Sequence, residues 1–230
     1  MLWVITMEKM TKYAKFNYTE QDQDLIEGLE EYLNEHVEEV FAFFDSSLPR
    51  TIVNISIIPT KKEYDEIIKK RRQTTEDIPS WVIGNYYNGT IEYVSLHDYK
   101  NTSHAFPPEK YSENLEYYKK TIIHEYVHFV TGEYLVKNRA GDPPKYLNEG
   151  IAAYLSHQRD GKKPSFIYSL DDILNSRTCY EGWYLLTKYI IEQKGKDYFL
   201  MLLKNNIRSK SEASELYEEA KSFYDSLDNN

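Results

Sequence analysis

His124-Glu125-Tyr126-Val127-His128 is the stretch of this chain whose residue types and spacing are best suited to chemistry. On a helix, residues four apart stand one turn above each other on the same face, so both imidazoles can converge on one metal ion. Glu125 lies about 100° round such a helix from His124. There its carboxylate can reach a metal-bound water without having to ligate the metal, which is the place of a general base. Further along, Tyr146-Leu147-Asn148-Glu149-Gly150-Ile151-Ala152 offers Glu149 as a third ligand. Three protein ligands leave the fourth tetrahedral position to water, the arrangement of a catalytic rather than a structural Zn²⁺.

A helix must hold the pair. Thr121, Ile122 and Ile123 before the motif, with Val127, Phe129 and Val130 through and after it, place apolar residues at helical spacing around the polar group. The pattern predicts a helix from about Ser112 or Asn114 to about Val136, buried in the core. Two histidines and a carboxylate inside such a helix are costly to bury without a partner, and a metal ion supplies one. Asn138 to Pro144, with Gly141, Asp142, Pro143 and Pro144, breaks the chain before a second helix, Tyr146 to His157, that carries Glu149.

The paired motifs resemble those of the gluzincin metallopeptidases, zincins whose third ligand is a glutamate on a following helix. Tyr146 to Ala152 is similar to the Trp-Leu-Asn-Glu-Gly-Phe-Ala type of segment in the aminopeptidase N family and its smaller peptidase-MA-like relatives, with tyrosine in place of tryptophan. Thermolysin-type gluzincins carry an aspartate four residues after the ligand glutamate. This chain has Ala153 there, which disfavours that branch. The resemblance implies an α+β, zincin-like fold in one catalytic unit. Residues 1–137 would form an N-terminal lobe with a small mixed sheet and the active-site helix, and residues 138–230 a helical C-terminal lobe with the third ligand.

Cys179-Tyr180-Glu181-Gly182-Trp183-Tyr184 resembles the segment that carries the catalytic tyrosine in aminopeptidase N relatives, whose pattern has one more residue between glutamate and glycine. The resemblance implies that the Tyr180 hydroxyl donates to the oxyanion of the tetrahedral intermediate. Packing is the competing role, since tyrosine is the most abundant aromatic here, with 22 copies. Those relatives also bind the substrate amine with a Gly-x-Met-Glu-Asn-type strand. Gly84-Asn85-Tyr86-Tyr87-Asn88 has no carboxylate at the equivalent place, which favours an endopeptidase or a peptidase of narrow range.

The remaining elements follow from periodicity. Leu25, Ile26, Leu29, Leu33, Val37, Val40, Phe41 and Phe44 recur at helical steps from Glu20 to Phe44, and Leu48-Pro49-Arg50 ends that helix. Thr51 to Ile58 alternates as a strand, and Lys61 to Arg72 resumes helical spacing. Trp81 to Tyr87, Asn88-Gly89 and Thr90 to Leu96 form a hairpin pattern around an Asn-Gly turn. In gluzincins an edge strand at this point borders the cleft and pairs with an extended substrate; an ordinary solvent-facing hairpin is the alternative. Asn101 to Pro108 is a loop, with His97 and His104 near or within it and lacking ligand spacing to the motif. Helices are expected over Tyr180 to Gln193, Asp197 to Ile207 and Ser211 to Leu227.

The formal charge of −9 argues against a general affinity for nucleic acid or an anionic membrane. The short basic run Lys69-Lys70-Arg71-Arg72 is flanked by acids and reads as a solvated helix end. Cys179 is the only cysteine, which excludes an intrachain disulfide and suits a buried thiol. Leu2-Trp3-Val4-Ile5 lacks the basic leader and cleavage site of a secretory signal, and no apolar run is long enough to span a bilayer. A soluble, cytoplasmic protein is the expectation. The function expected is zinc-dependent peptide hydrolysis, with His124, His128 and Glu149 as ligands, Glu125 as base, Tyr180 as oxyanion donor and a peptide or protein as substrate. Its alternatives are a zinc-binding sensor or interaction protein without general proteolytic activity, and a regulator that cleaves a single partner.

Overall fold

The computed structural model describes residues 6–102, 111–160, 165–205 and 210–228. It is α+β. The chain divides into two compact units, Met1–Glu39 with Pro49–Phe129, and Val40–Leu48 with Val130–Asn230.

In the first unit five strands form one mixed sheet: β1 (Thr6–Met10), β2 (Ala14–Thr19), β3 (Val53–Ile58), β4 (Gly84–Tyr87) and β5 (Thr90–Val94), in the order β1-β2-β3-β5-β4. The three inner strands run parallel, and each edge strand is antiparallel to its neighbour. The parallel steps need crossovers, which α1 (Gln23–Phe44) and α2 (Lys61–Arg72) supply. Register places Ala14 beside Val53, Phe16 beside Ile55, Ile55 beside Ile91 and Ile57 beside Tyr93, all buried. Lys15, Asn54, Ser56 and Glu92 point the other way, so the sheet has one apolar face and one polar face.

The helical repeat of α1 is confirmed residue by residue: Leu25, Ile26, Leu29, Leu33, Val37, Val40, Phe41 and Phe44 are all buried. Thr60 caps α2 by accepting from the Glu63 N–H at 3.1 Å. The basic run at its end is partly engaged in ion pairs. Arg71 grips Glu92 with two hydrogen bonds of 2.6 Å and lies 4.2 Å over the Tyr87 ring, and Lys69 pairs with Asp77.

The hairpin turns at Asn88 (φ 46°) and Gly89 (φ 79°), both in the left-handed region that a two-residue hairpin turn of this hand requires. Its first strand is shorter than the sequence pattern suggests. The Val82 N–H bonds to the Pro79 carbonyl, so Trp81 and Val82 belong to a turn and β4 begins at Gly84. Strands β1 and β2 were not anticipated. For β2 the signal was present in the alternation of Ala14, Phe16 and Tyr18 with Lys15 and Asn17.

The motif helix, α3, runs over Tyr111–Lys137. It passes from one unit into the other at Phe129–Val130. The second unit contains α4 (Lys145–Leu155), the short α5 (Leu170–Asn175), α6 (Tyr180–Tyr189), which continues as a π-helical turn over Ile190–Lys194, then α7 (Lys196–Asn205) and α8 (Lys210–Asp228). The last turn of α1 belongs to this unit, with Phe43 edge-on to Phe199 and Phe44 against Tyr134. No helix among the described residues is long and apolar enough to cross a membrane.

Candidate metal centre

Within α3 the apolar residues around the motif do what their spacing predicts. Ile122, Ile123, Tyr126, Val127, Phe129 and Val130 are buried, which leaves the polar side chains little freedom to move. His124 is buried with them, while Glu125 and His128 are half-buried. The two imidazole rings lie one turn apart with centroids 4.9 Å from each other, nearly perpendicular at 83°. The ligand atoms offered by His124, His128 and Glu149 all lie within 4.8 Å of one another. Three donors this close to one another could hold one metal ion. The donor set also fits: two imidazoles and a carboxylate suit Zn²⁺, and three protein ligands leave a position over.

Glu125 has different surroundings. A methyl group on Gly84 of β4 would stand 3.3 Å from the Glu125 Cγ, and 2.4 and 2.5 Å from the Tyr93 ring. The missing side chain therefore lets the edge strand run directly beside Glu125, with the Tyr93 ring lying across the glycine. Tyr93 is held in turn by an edge-on contact with Tyr118 of α3, at 4.5 Å between centroids. Tyr64 of α2 shares this environment. Burial first, then the negative charge of Glu125, push its hydroxyl well above the ordinary tyrosine range.

The backbone direction at Gly84 matters as well. The Val94 N–H bonds to the Ile83 carbonyl at 2.9 Å, so Ile83 faces Val94 as a hydrogen-bonded pair. Gly84 and Tyr93, one step on, are then a non-bonded pair, and the N–H and C=O of Gly84 point away from β5. Tyr86 points its backbone the same way, and its ring meets Phe129 edge-on at 6.0 Å.

Glu149 sits half-buried in the first turns of α4. The following residue is where α4 meets α6. A Cβ on Gly150 would fall 2.1 Å from the Thr187 hydroxyl oxygen and 2.6 Å from the Trp183 carbonyl oxygen. Tyr180 is the first residue of α6, on the same helical stripe as Trp183 and Thr187, and its ring packs edge-on against Trp183 at 5.1 Å. Cys179 precedes it, buried and unpaired with another sulfur, its thiol pushed up to about 11 by burial. Among the other candidates, His97 is exposed in a 3-10 turn (Leu96–Asn101), and His104 lies outside the described residues.

The structure thus brings together His124, His128 and Glu149, and sets Glu125 against the edge strand. Tyr64, Tyr93 and Thr187 were not singled out from sequence. Each is one of many similar residues until packing puts it beside the motif. No family model matches this chain, and no curated protein matches it.

Proposed function

We propose that the protein is a zinc-dependent metallopeptidase of zincin-like, gluzincin type, cleaving within peptide chains. The observation that carries the reading is the convergence of His124, His128 and Glu149, with Glu125 on the same helix and facing an edge strand. His124, His128 and Glu149 would hold Zn²⁺, which when bound would act as a Lewis acid, lowering the pKa of a water towards about 7 and polarising a carbonyl. The Glu125 carboxylate accepts the proton of that water on one oxygen and returns it to the leaving nitrogen as the C–N bond breaks. The Tyr180 hydroxyl donates to the carbonyl oxygen as it gains negative charge.

Substrate positioning falls to β4. An extended peptide laid antiparallel along its outer side would bond to the N–H and C=O of Gly84, opposite Glu125, whatever its own side chains. Such recognition is independent of a free amine, in keeping with the missing carboxylate in Gly84 to Asn88. The test is zinc analysis together with digestion of free and N-acetylated peptides by the wild type and Glu125→Gln. The reading expects one zinc per chain, cleavage of both peptides, and loss of turnover with retained zinc in the variant. Full activity in Glu125→Gln would sink it. Stoichiometric zinc without cleavage of any peptide would favour a metal-binding sensor instead.

A further inference from the structure

Helices α4 and α6 come into close contact at Gly150, one residue after the third ligand. The side-chain position of Gly150 is already occupied: Thr187 Oγ1 lies 2.1 Å and Thr187 Cβ 3.1 Å from where its Cβ would stand, and Trp183 O lies at 2.6 Å. Contacts this short require the second Cα–H bond of the glycine to point at both oxygens, a weak hydrogen-bonding arrangement common where helices touch. Thr187 is fully buried, and among the described residues its hydroxyl has no hydrogen-bond partner. The contact with Gly150 is what the hydroxyl faces.

The far wall of the contact is rigid. Trp183 is 1% exposed, and its indole N–H donates to the Ile173 carbonyl at 2.8 Å. Lys145, at the start of α4, lies 4.9 Å over the same indole ring and donates to the Arg177 carbonyl at 2.9 Å. At Gly182 a Cβ would meet Cys179 Sγ at 2.6 Å and Ile173 Cδ1 at 2.8 Å, so the first turn of α6 is itself wedged in place. A side chain at position 150 could displace the Thr187 hydroxyl by rotation, but not the Trp183 carbonyl, which is backbone.

We propose that Gly150 is a positioning residue for the metal centre: its close contact with Trp183 and Thr187 sets the depth of α4 against α6, and so the place of the Glu149 carboxylate. This rests on the metal reading given above. Restoring ordinary contact after adding a Cβ takes a shift on the order of 1 Å. Metal–ligand distances tolerate only about 0.2 Å. An α4 displaced by that much either strains the third ligand or releases it.

The experiment is a Zn²⁺ titration against a competing chelator, on wild type, Gly150→Ala, Glu149→Ala and the double variant, at a temperature where circular dichroism shows each folded. Gly150→Ala should weaken zinc about 10- to 100-fold, the range for residues that orient ligands. The double variant should bind no more weakly than Glu149→Ala alone. Co²⁺ substituted for zinc should show altered visible absorption in Gly150→Ala, a signature that a loss of helix stability alone would not produce. Thr187→Ala added to Gly150→Ala should recover part of the affinity by opening the wall. Unchanged affinity in Gly150→Ala, or a further loss in the double variant, would overturn the proposal. If Gly150→Ala does not fold, Thr187→Val crowds the same contact with a methyl group. A smaller loss of affinity supports the proposal, and wild-type affinity overturns it. Wild-type protein that takes up no zinc defeats the reading of the centre itself, an outcome distinct from a zinc-binding wild type that Gly150→Ala leaves unaffected.

Discussion

The sheet has two edge strands, both antiparallel to their neighbours, yet their side chains differ. On β1, Glu8 and Lys9 project from the strand and pair with Lys15 and Glu30 at 2.8 and 2.7 Å. Charges on an edge strand discourage another chain from adding to it. On β4, Gly84-Asn85-Tyr86-Tyr87 has no charge, and its glycine lies against Glu125. Backbone geometry alone would make either edge a template for a peptide. The side chains make β1 a guarded edge and leave β4 the one suited to accept a strand.

Two Arg–Glu pairs beside the sheet differ too. At the turn into β2, Tyr13 and Arg50 both donate to the half-exposed Glu38, at 2.7 and 2.8 Å. At the β4–β5 hairpin, Arg71 makes its two-pronged contact with Glu92, whose side chain is only 13% exposed. The hairpin beside Glu125 carries the better-buried pair.

The comparison can be broken most forcefully at Glu125. Glu125→Gln should lower peptide turnover by about 10²- to 10⁴-fold while zinc analysis still finds the metal. His124→Ala should lose both, and Glu8→Gln on the other edge should change neither. The next largest effect is expected at Gly84. Gly84→Ala forces the Cβ into the Tyr93 ring and towards Glu125, and moving the strand by about 1 Å should reduce kcat/KM for an N-acetylated peptide roughly 100-fold. A wild-type rate in that variant would remove β4 from the site.

Stability sharpens the contrast between the two pairs. Arg71→Ala leaves a largely buried carboxylate without its guanidinium and should cost about 2 kcal/mol in urea unfolding. Arg50→Ala, in an exposed pair, should cost less than about 1 kcal/mol. Equal losses would mean that burial does not separate the two pairs. The smallest effect concerns acid. Hydrogen bonds from Arg50 and then Tyr13 hold the Glu38 carboxyl down to about 2. A carboxyl lowered in the folded state stabilises it above the unfolded value near 4.3, and that contribution fades as pH falls through about 2. With Glu38 half-exposed, Glu38→Gln should lose only a few tenths of a kcal/mol at pH 6. The difference from wild type should disappear near pH 2, as followed by thermal unfolding across that range.

Much of the architecture was legible in periodicity. The buried residues of α1 are those its spacing named, α2 spans Lys61–Arg72 as expected, and Asn88-Gly89 turns the hairpin. The short α5 and the strands β1 and β2 escaped. The alternation in Thr6–Met10 is weak because both of its faces are largely exposed, and it exists as a strand through its pairing with β2. At the candidate site the ligand spacing was legible because a helix repeats every 3.6 residues. Glycine, by contrast, carries no pattern of its own. That Gly84 lies against Glu125, and Gly150 against Thr187, depends on strands and helices brought from elsewhere in the chain.

The order of residues in His124 to His128 determines by itself that two imidazoles and a carboxylate occur on adjoining faces of one helical turn, since local geometry needs nothing beyond the backbone repeat. It also determines that Glu149 follows on a second helix. The distances among His124, His128 and Glu149, the strand that runs beside Glu125 and the contact that seats α4 were decided only in the tertiary structure. The physical reason is that such contacts are set by close packing between distant segments, and close packing is a property of volumes brought together rather than of spacing along the chain.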